Sequence, residues 1–283
     1  IKGTGKMELQ DDMLDVYKDK IKKIRVSEGI TDLGKLGFSN CEDMNIEEFE
    51  RLMIEYGKKI NIKFTEEQLN KFYEYMNLLL EWNEKINLTA ITEPKDVILK
   101  HFIDSLTINK YLKENRTLAD VGTGAGFPGI PLKILRPDLK IILVDSLNKR
   151  INFLNEVILK LNLKDIDTVR SRIEDFGKNK KYREKFDYVT ARAVANLSVL
   201  SEYLLPICKV TGKCICMKGS NVEEELSLGK GAINVLGGKI SRVDEFMLPD
   251  SDICRNVIVV DKVKNTPGRF PRKAGVPAKE PIK

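Results

Sequence analysis

Thirteen residues, Thr117-Leu-Ala-Asp-Val-Gly-Thr-Gly-Ala-Gly-Phe-Pro-Gly129, constrain the fold more than any other stretch of this chain. A strand ends at Asp120-Val121, glycines crowd the positions that follow, and a helix is expected to start near Pro128. Gly122, Gly124 and Gly126 let the backbone turn tightly and approach a ligand without Cβ clashes. Strand, glycine-rich turn and helix in that order open a nucleotide-binding α/β unit.

The texture downstream agrees. Strands are expected at Thr117–Val121, Lys140–Val144, Ile166–Val169, Phe186–Ala191, Gly212–Met217 and Asn256–Val260, with helical patterns at Lys149–Leu161 and Leu197–Cys208 between them. Such alternation predicts a Rossmann-like α/β fold, a parallel sheet covered on both faces, with ligands bound beyond the carboxyl ends of the strands. Upstream, residues 44–113 read as a helical module. Asn45 caps a helix bearing Ile46, Phe49, Met53 and Tyr56 and closed by Gly57, and Thr65 to Gln68 forms a capping box. The second helix has two apolar faces, Leu69, Phe72, Met76 and Leu79 on one and Tyr75, Leu78 and Trp82 on the other, so it should pack on two sides. Pro94 opens a third helix through His101.

The predicted organisation is an extension over 1–43, the helical module 44–113, a cofactor-binding domain 114–263 and a basic arm 264–283. Met44 is expected to be the natural start, so that truncation to it leaves folding and activity intact. The arm carries Lys264, Arg269, Arg272, Lys273, Lys279 and Lys283 against one acid, Glu280, and so holds most of the net charge of +6. It reads either as a solvated C-terminus or as an arm that contacts phosphates by counterion release.

The loop admits two cofactors. Gly124-Ala-Gly126-Phe-Pro-Gly129 fits the dinucleotide pattern G-x-G-x-x-G, and Asp145 fits its ribose-binding acid. A pyrophosphate, however, would be repelled by Asp120 and would lose a backbone donor at Pro128. S-adenosylmethionine carries an amino group and a sulfonium cation instead of phosphates, so an acid ahead of the loop suits it. Electrostatics therefore favours S-adenosylmethionine. After the third strand, Ile173 can wall the adenine, and Glu174 or Asp175 can accept from its amino group.

The fourth strand ends in Thr190-Ala-Arg-Ala-Val194, with neither the Asn/Asp-Pro-Pro-aromatic loop of amine methylation nor a thiol for pyrimidine C5 chemistry. Arg192 is expected to face the acceptor. An acceptor that already exposes a lone pair, such as purine N7, needs neither base nor nucleophile; alignment alone can supply about 7–11 kcal/mol.

Of the five cysteines, Cys214 and Cys216 alternate on a strand and read as small core residues, and His101 is the only histidine, so no metal site is expected. No apolar run approaches the roughly 18 residues of a membrane span, and no secretory signal is read, which predicts a cytoplasmic protein with reduced thiols.

Taken together the motifs resemble one family, the bacterial small-subunit rRNA guanine-N7 methyltransferases called RsmG or GidB. The resemblance runs from about Met44 to Lys283. It rests on Leu80-Glu-Trp-Asn-Glu-Lys-Ile-Asn-Leu-Thr-Ala-Ile91, Lys100-His-Phe-Ile-Asp-Ser105, the glycine loop through Pro131, Asp145-Ser-Leu-Asn-Lys-Arg150, Thr190 to Val194 and the ending Pro271-Arg-Lys-Ala-Gly-Val-Pro-Ala-Lys279. It implies a class I S-adenosylmethionine-dependent sheet and methylation of guanine N7 in the decoding-region loop of 16S rRNA. It implies cofactor contacts from Asp120, Gly122, Gly124, Gly126, Phe127, Asp145, Ile173, Glu174 and Arg192. Arg192, His101 and Asn87 would line the catalytic pocket, with a structural role for His101 as the alternative. Lys218, Arg269, Arg272, Lys273 and Lys279 would contact RNA phosphates. The expected partner is small-subunit RNA or an assembling subunit, the expected state a monomer. The competing functions are methylation of another RNA, a protein or a small molecule, and dinucleotide-dependent oxidoreduction.

Overall fold

In the computed structural model, which describes residues 44–282, local capping sets the first two helices. Asn45 accepts the Glu48 amide at the start of α1 (Ile46–Lys59), and Thr65 and Gln68 form the reciprocal capping box of α2 (Glu66–Ile86). Gly57 does not close α1, which runs two residues beyond it. A Cβ at Gly57 would lie 2.5 Å from the Phe64 ring, so close packing is what that glycine serves. After Pro94 the chain makes a single α-turn, α3 (Pro94–Asp96), then a π-helical segment Val97–Ile103, the turn α4 (Asp104–Leu106) and a 3₁₀ segment Thr107–Tyr111.

Seven strands follow in the order β3-β2-β1-β4-β5-β7-β6. They are β1 (Thr117–Val121), β2 (Lys140–Asp145), β3 (Ile166–Arg170), β4 (Phe186–Arg192), β5 (Cys208–Lys218), β6 (Gly238–Met247) and β7 (Cys254–Lys262). The first five are parallel. The expectation of an all-parallel sheet fails at its end, where β7 runs antiparallel to both β5 and β6. The helices between strands are α5 (Gly129–Leu135), α6 (Asn148–Lys160), α7 (Ile173–Lys178), α8 (Leu197–Leu204) and α9 (Glu223–Val235), and α10 (Val276–Lys279) closes the chain.

Strand periodicity of two divides the core. Leu118, Leu143, Ile215 and Val259 face one cluster, and Ala119, Val144, Cys214, Cys216 and Val260 the other. Both thiols are buried in that second cluster, as packing residues would be. The first cluster also takes in Phe49, Phe72, Tyr75 and Phe102, so helices of the 44–113 segment cover one sheet face directly. Tyr75 and Trp82, on the second apolar face of α2, lie against Phe153 of α6 with ring centroids 6.5 and 5.7 Å apart, which is the two-sided packing its sequence demands.

Candidate active site

The parallel strands end at a cleft of about 990 Å³, built on one side by the glycine loop, on another by the ends of β2 and β3, and closed by residues after β4 and by the Leu88–Thr89 turn. Gly122 takes φ +69°, and a Cβ there would meet Val194 at 2.9 Å, so only glycine turns the chain here without strain.

Behind the loop, Asp120 is fully buried. Its Oδ2 accepts the Thr123 hydroxyl at 2.6 Å and the Gly129 amide at 2.8 Å, while Oδ1 has no partner among the described residues. Burial raises its carboxyl to about 6. This arrangement decides what α5 can bind. Gly129 gives its amide to Asp120, Ile130 gives its own to the Gly126 carbonyl, and Pro128 and Pro131 have none. A helix start with no free amide and a carboxylate already seated on it does not take a diphosphate.

Asp145, at the end of β2, is held by the Gly124 and Leu147 amides at 3.1 and 2.9 Å and by Arg150 at 3.3 Å. That uses three of about four acceptor positions of a carboxylate that lines the cleft, leaving one for a ribose hydroxyl. Ile173 and Val194 supply apolar wall, and Glu174 lines the same side while accepting the Gly275 amide at 2.8 Å.

A second polar group sits across the cleft. Arg192 donates to the Lys100 carbonyl at 2.9 Å, to Asp104 Oδ2 at 3.2 Å and to His101 Nδ1 at 3.0 Å. His101 stacks on Phe127 at 4.4 Å, and the Arg192 guanidinium lies 4.9 Å from the same ring. Asp104 is buried, and its other oxygen accepts from Arg255 at 3.1 Å. Burial, then the Arg192 charge, lower the His101 imidazole to about 3, so it is neutral at any physiological pH.

A family model described as rRNA small subunit methyltransferase G matches residues 68–255. The chain is 54% identical over 228 residues to the ribosomal RNA small subunit methyltransferase G of Desulforamulus reducens, across 80% of this chain and 95% of the relative. The proteins of the same name from Acetivibrio thermocellus and Alkaliphilus oremlandii are 54% and 51% identical, over 82% and 83% of this chain and 96% and 100% of their own. The chain belongs to the rRNA small subunit methyltransferase G family. It is thus an S-adenosylmethionine-dependent methyltransferase, as its motifs lead one to expect, and the dinucleotide alternative falls. The residues present fit that donor: a ribose acid, an apolar wall, a buried acid behind the loop and no phosphate cradle.

Within this methyltransferase G site, Gly122, Gly124, Phe127, Asp145, Ile173, Glu174, Arg192 and His101 all line the cleft. Asp120 stands behind it, and Gly126 packs against Ile130 and Tyr75. Asn87 is the left-handed C-cap of α2, exposed and outside the cleft wall. Lys218 is bound to the Ala195 carbonyl and Glu225 at 2.5 and 2.6 Å, and Arg272 to buried Glu202 at 2.6 Å. Arg269 lies over the Phe270 ring, and Lys273 and Lys279 are exposed without an ion pair among the described residues. Sequence reasoning passed over Thr89, Arg150, Arg172 and Tyr203 in the wall, and Asp104 beneath Arg192. Thr89 lies two residues from Asn87 within the Leu80–Ile91 motif. Tyr203 carried no signal beyond its place on a helix.

Proposed function

We propose that this methyltransferase transfers the methyl group of S-adenosylmethionine to N7 of a guanine in the decoding-region loop of 16S rRNA, acting as a monomer in the cytoplasm. One observation supports this acceptor above others. Among the described residues, no thiol lines the cleft, and the imidazole that does has both ring nitrogens engaged, by Arg192 and by Thr89. A site so furnished offers neither a nucleophile nor a free imidazole base, and suits an atom that presents its own lone pair.

The chain's residues then work by placement. Asp145 and the Ile173 wall hold the adenosyl part, while Asp120 biases the cleft toward a cationic donor. Arg192, pinned by Asp104, keeps His101 and Phe127 stacked as a rigid floor for the incoming base, which is an alignment role. The positive charge arrives on the purine with the methyl group, and the transfer needs no proton movement. Lys273 and Lys279, with Arg269, supply the phosphate contacts, whereas Lys218 and Arg272 first serve internal carboxylates. No helix of the described residues is long and apolar enough to cross a membrane. The test is mass spectrometry of small-subunit RNA from cells lacking this protein. The 7-methylguanosine should vanish and return with the wild-type chain but not with Arg192→Ala; an unchanged content in the deleted cells rejects the acceptor.

A further inference from the structure

Counting hydrogens along the polar wall of the cleft leaves one proton unassigned. Arg192 has donors only, so at 3.0 Å from His101 Nδ1 it donates and that nitrogen accepts. A neutral imidazole that accepts at Nδ1 carries its hydrogen on Nε2. His101 therefore donates to Thr89 Oγ1, 2.8 Å away. The same oxygen accepts the Ile91 amide at 3.0 Å. A hydroxyl has two acceptor lone pairs and one hydrogen. Both lone pairs of Thr89 are filled, its hydrogen has no acceptor among the described residues, and the side chain lines the cleft.

We propose that Thr89 is a specificity residue whose hydroxyl, locked as a pure donor by His101 and Ile91, gives its hydrogen to an oxygen acceptor on the target base. The proposal rests on the guanine-N7 reading, which makes that acceptor O6. Guanine presents N7 and O6 as adjacent acceptors on one edge, and adenine presents N7 beside an amino donor. N7 alone does not distinguish the two purines. A hydroxyl with no lone pair to spare does, because it bonds O6 and meets the adenine amino group as donor against donor. His101 thereby acts at one remove, as the residue that fixes the hydroxyl's polarity, and Arg192 acts through His101.

The experiment uses unmodified small-subunit RNA from cells lacking the protein and the same RNA ligated with 2-aminopurine, which keeps N7 and lacks O6, at the target position. Labelled methyl transfer is measured for the wild type, Thr89→Val and Thr89→Ser. On guanine RNA, Thr89→Val should lose roughly 10- to 100-fold in kcat/KM, the scale of an unmet buried hydrogen bond, and Thr89→Ser should stay near the wild type. On 2-aminopurine RNA the wild type should fall to the valine variant's level, the two agreeing within about twofold. Equal losses on both RNAs would make Thr89 a structural support and overturn the proposal. So would a wild-type enzyme indifferent to the missing O6, a result that needs no variant to fold. A wild type that transfers no methyl to N7 of guanine RNA would instead sink the functional reading beneath it.

Discussion

The Glu174 carboxylate, on the wall of the cofactor cleft, accepts the main-chain amide of Gly275 at 2.8 Å across 101 residues of sequence. The basic arm is therefore fastened to the cofactor site and not frayed. Further ties come from Arg183 to the Phe270 and Thr266 carbonyls at 2.6 and 2.8 Å, and from Ser198 to the Ile282 carbonyl at 2.6 Å. Replacing Glu174 with Ala leaves the half-buried Gly275 amide without its acceptor, at a cost of about 1 kcal/mol. The variant should bind S-adenosylhomocysteine more weakly in calorimetry and release the arm to protease faster, with Glu174→Gln milder in both. An arm as resistant as the wild type's would refute the coupling.

Asp120 makes donor binding depend on pH. Its carboxyl is raised from 3.8 to about 6 by burial, so the folded protein holds this proton more tightly than the unfolded chain does, yet leaves the group ionised at neutral pH. The sign follows: stability from this group is fully present below about 3.8 and lost as pH rises through about 6. Cationic donor binding runs the other way, since only the ionised form attracts it. Affinity for S-adenosylmethionine should fall by up to about tenfold per pH unit below 6, and Asp120→Asn should flatten that profile. His101, at about 3, adds nothing between pH 5 and 8. A profile with its break unmoved in the asparagine variant would assign the dependence elsewhere.

Gly129 sits where a Cβ would lie 2.3 Å from Leu143 and 2.9 Å from Asp120 Oδ2. Gly129→Ala should cost about 1–3 kcal/mol by overpacking, lowering Tm by several degrees, and should loosen the amide that seats Asp120. Thermal melting and donor affinity should fall together. Loss of stability alone would separate the cap from binding.

The arm's cations should divide by task. Arg272 meets Glu202, which is 1% exposed, through its guanidinium and its own amide. Arg272→Ala should cost about 3 kcal/mol, the low end for breaking a buried pair because the arginine is itself partly exposed. Lys273→Ala should leave Tm unchanged and reduce the slope of log affinity for RNA against log salt by about 0.7–0.9. Equal slopes for the wild type and Lys273→Ala would remove that lysine from the RNA interface.

What could be read before folding was local or periodic. The Asn45 and Thr65 caps, the glycine turn, the parallel strands and Asp145 at a strand end all depend on residues a few positions apart. β6 escaped because it is half-exposed and polar (Lys239, Ser241, Arg242, Asp244, Glu245), and its pairing with β7 is made by main-chain bonds that leave no hydrophobic alternation. α9, with Gly229 and Gly231 inside it, has weak amphipathic contrast and was likewise not legible. The expectation about residues 1–43 lies outside the described residues.

The amino-acid sequence by itself determined the parallel strands, the glycine turn and the acids that suit a cationic methyl donor, because each is encoded in short-range spacing. Only the tertiary structure decided the partners of the charged groups. It brought His101 onto Phe127, Arg192 onto Asp104 and Thr89 to the cleft, and it turned Lys218 and Arg272 inward to carboxylates. Apart from Lys218 and Glu225, which are 7 residues apart, those ring and ion pairs join residues 26 to 88 positions apart. Burial, which raises the cost of every unpaired charge, selects among possible partners only once the chain has folded.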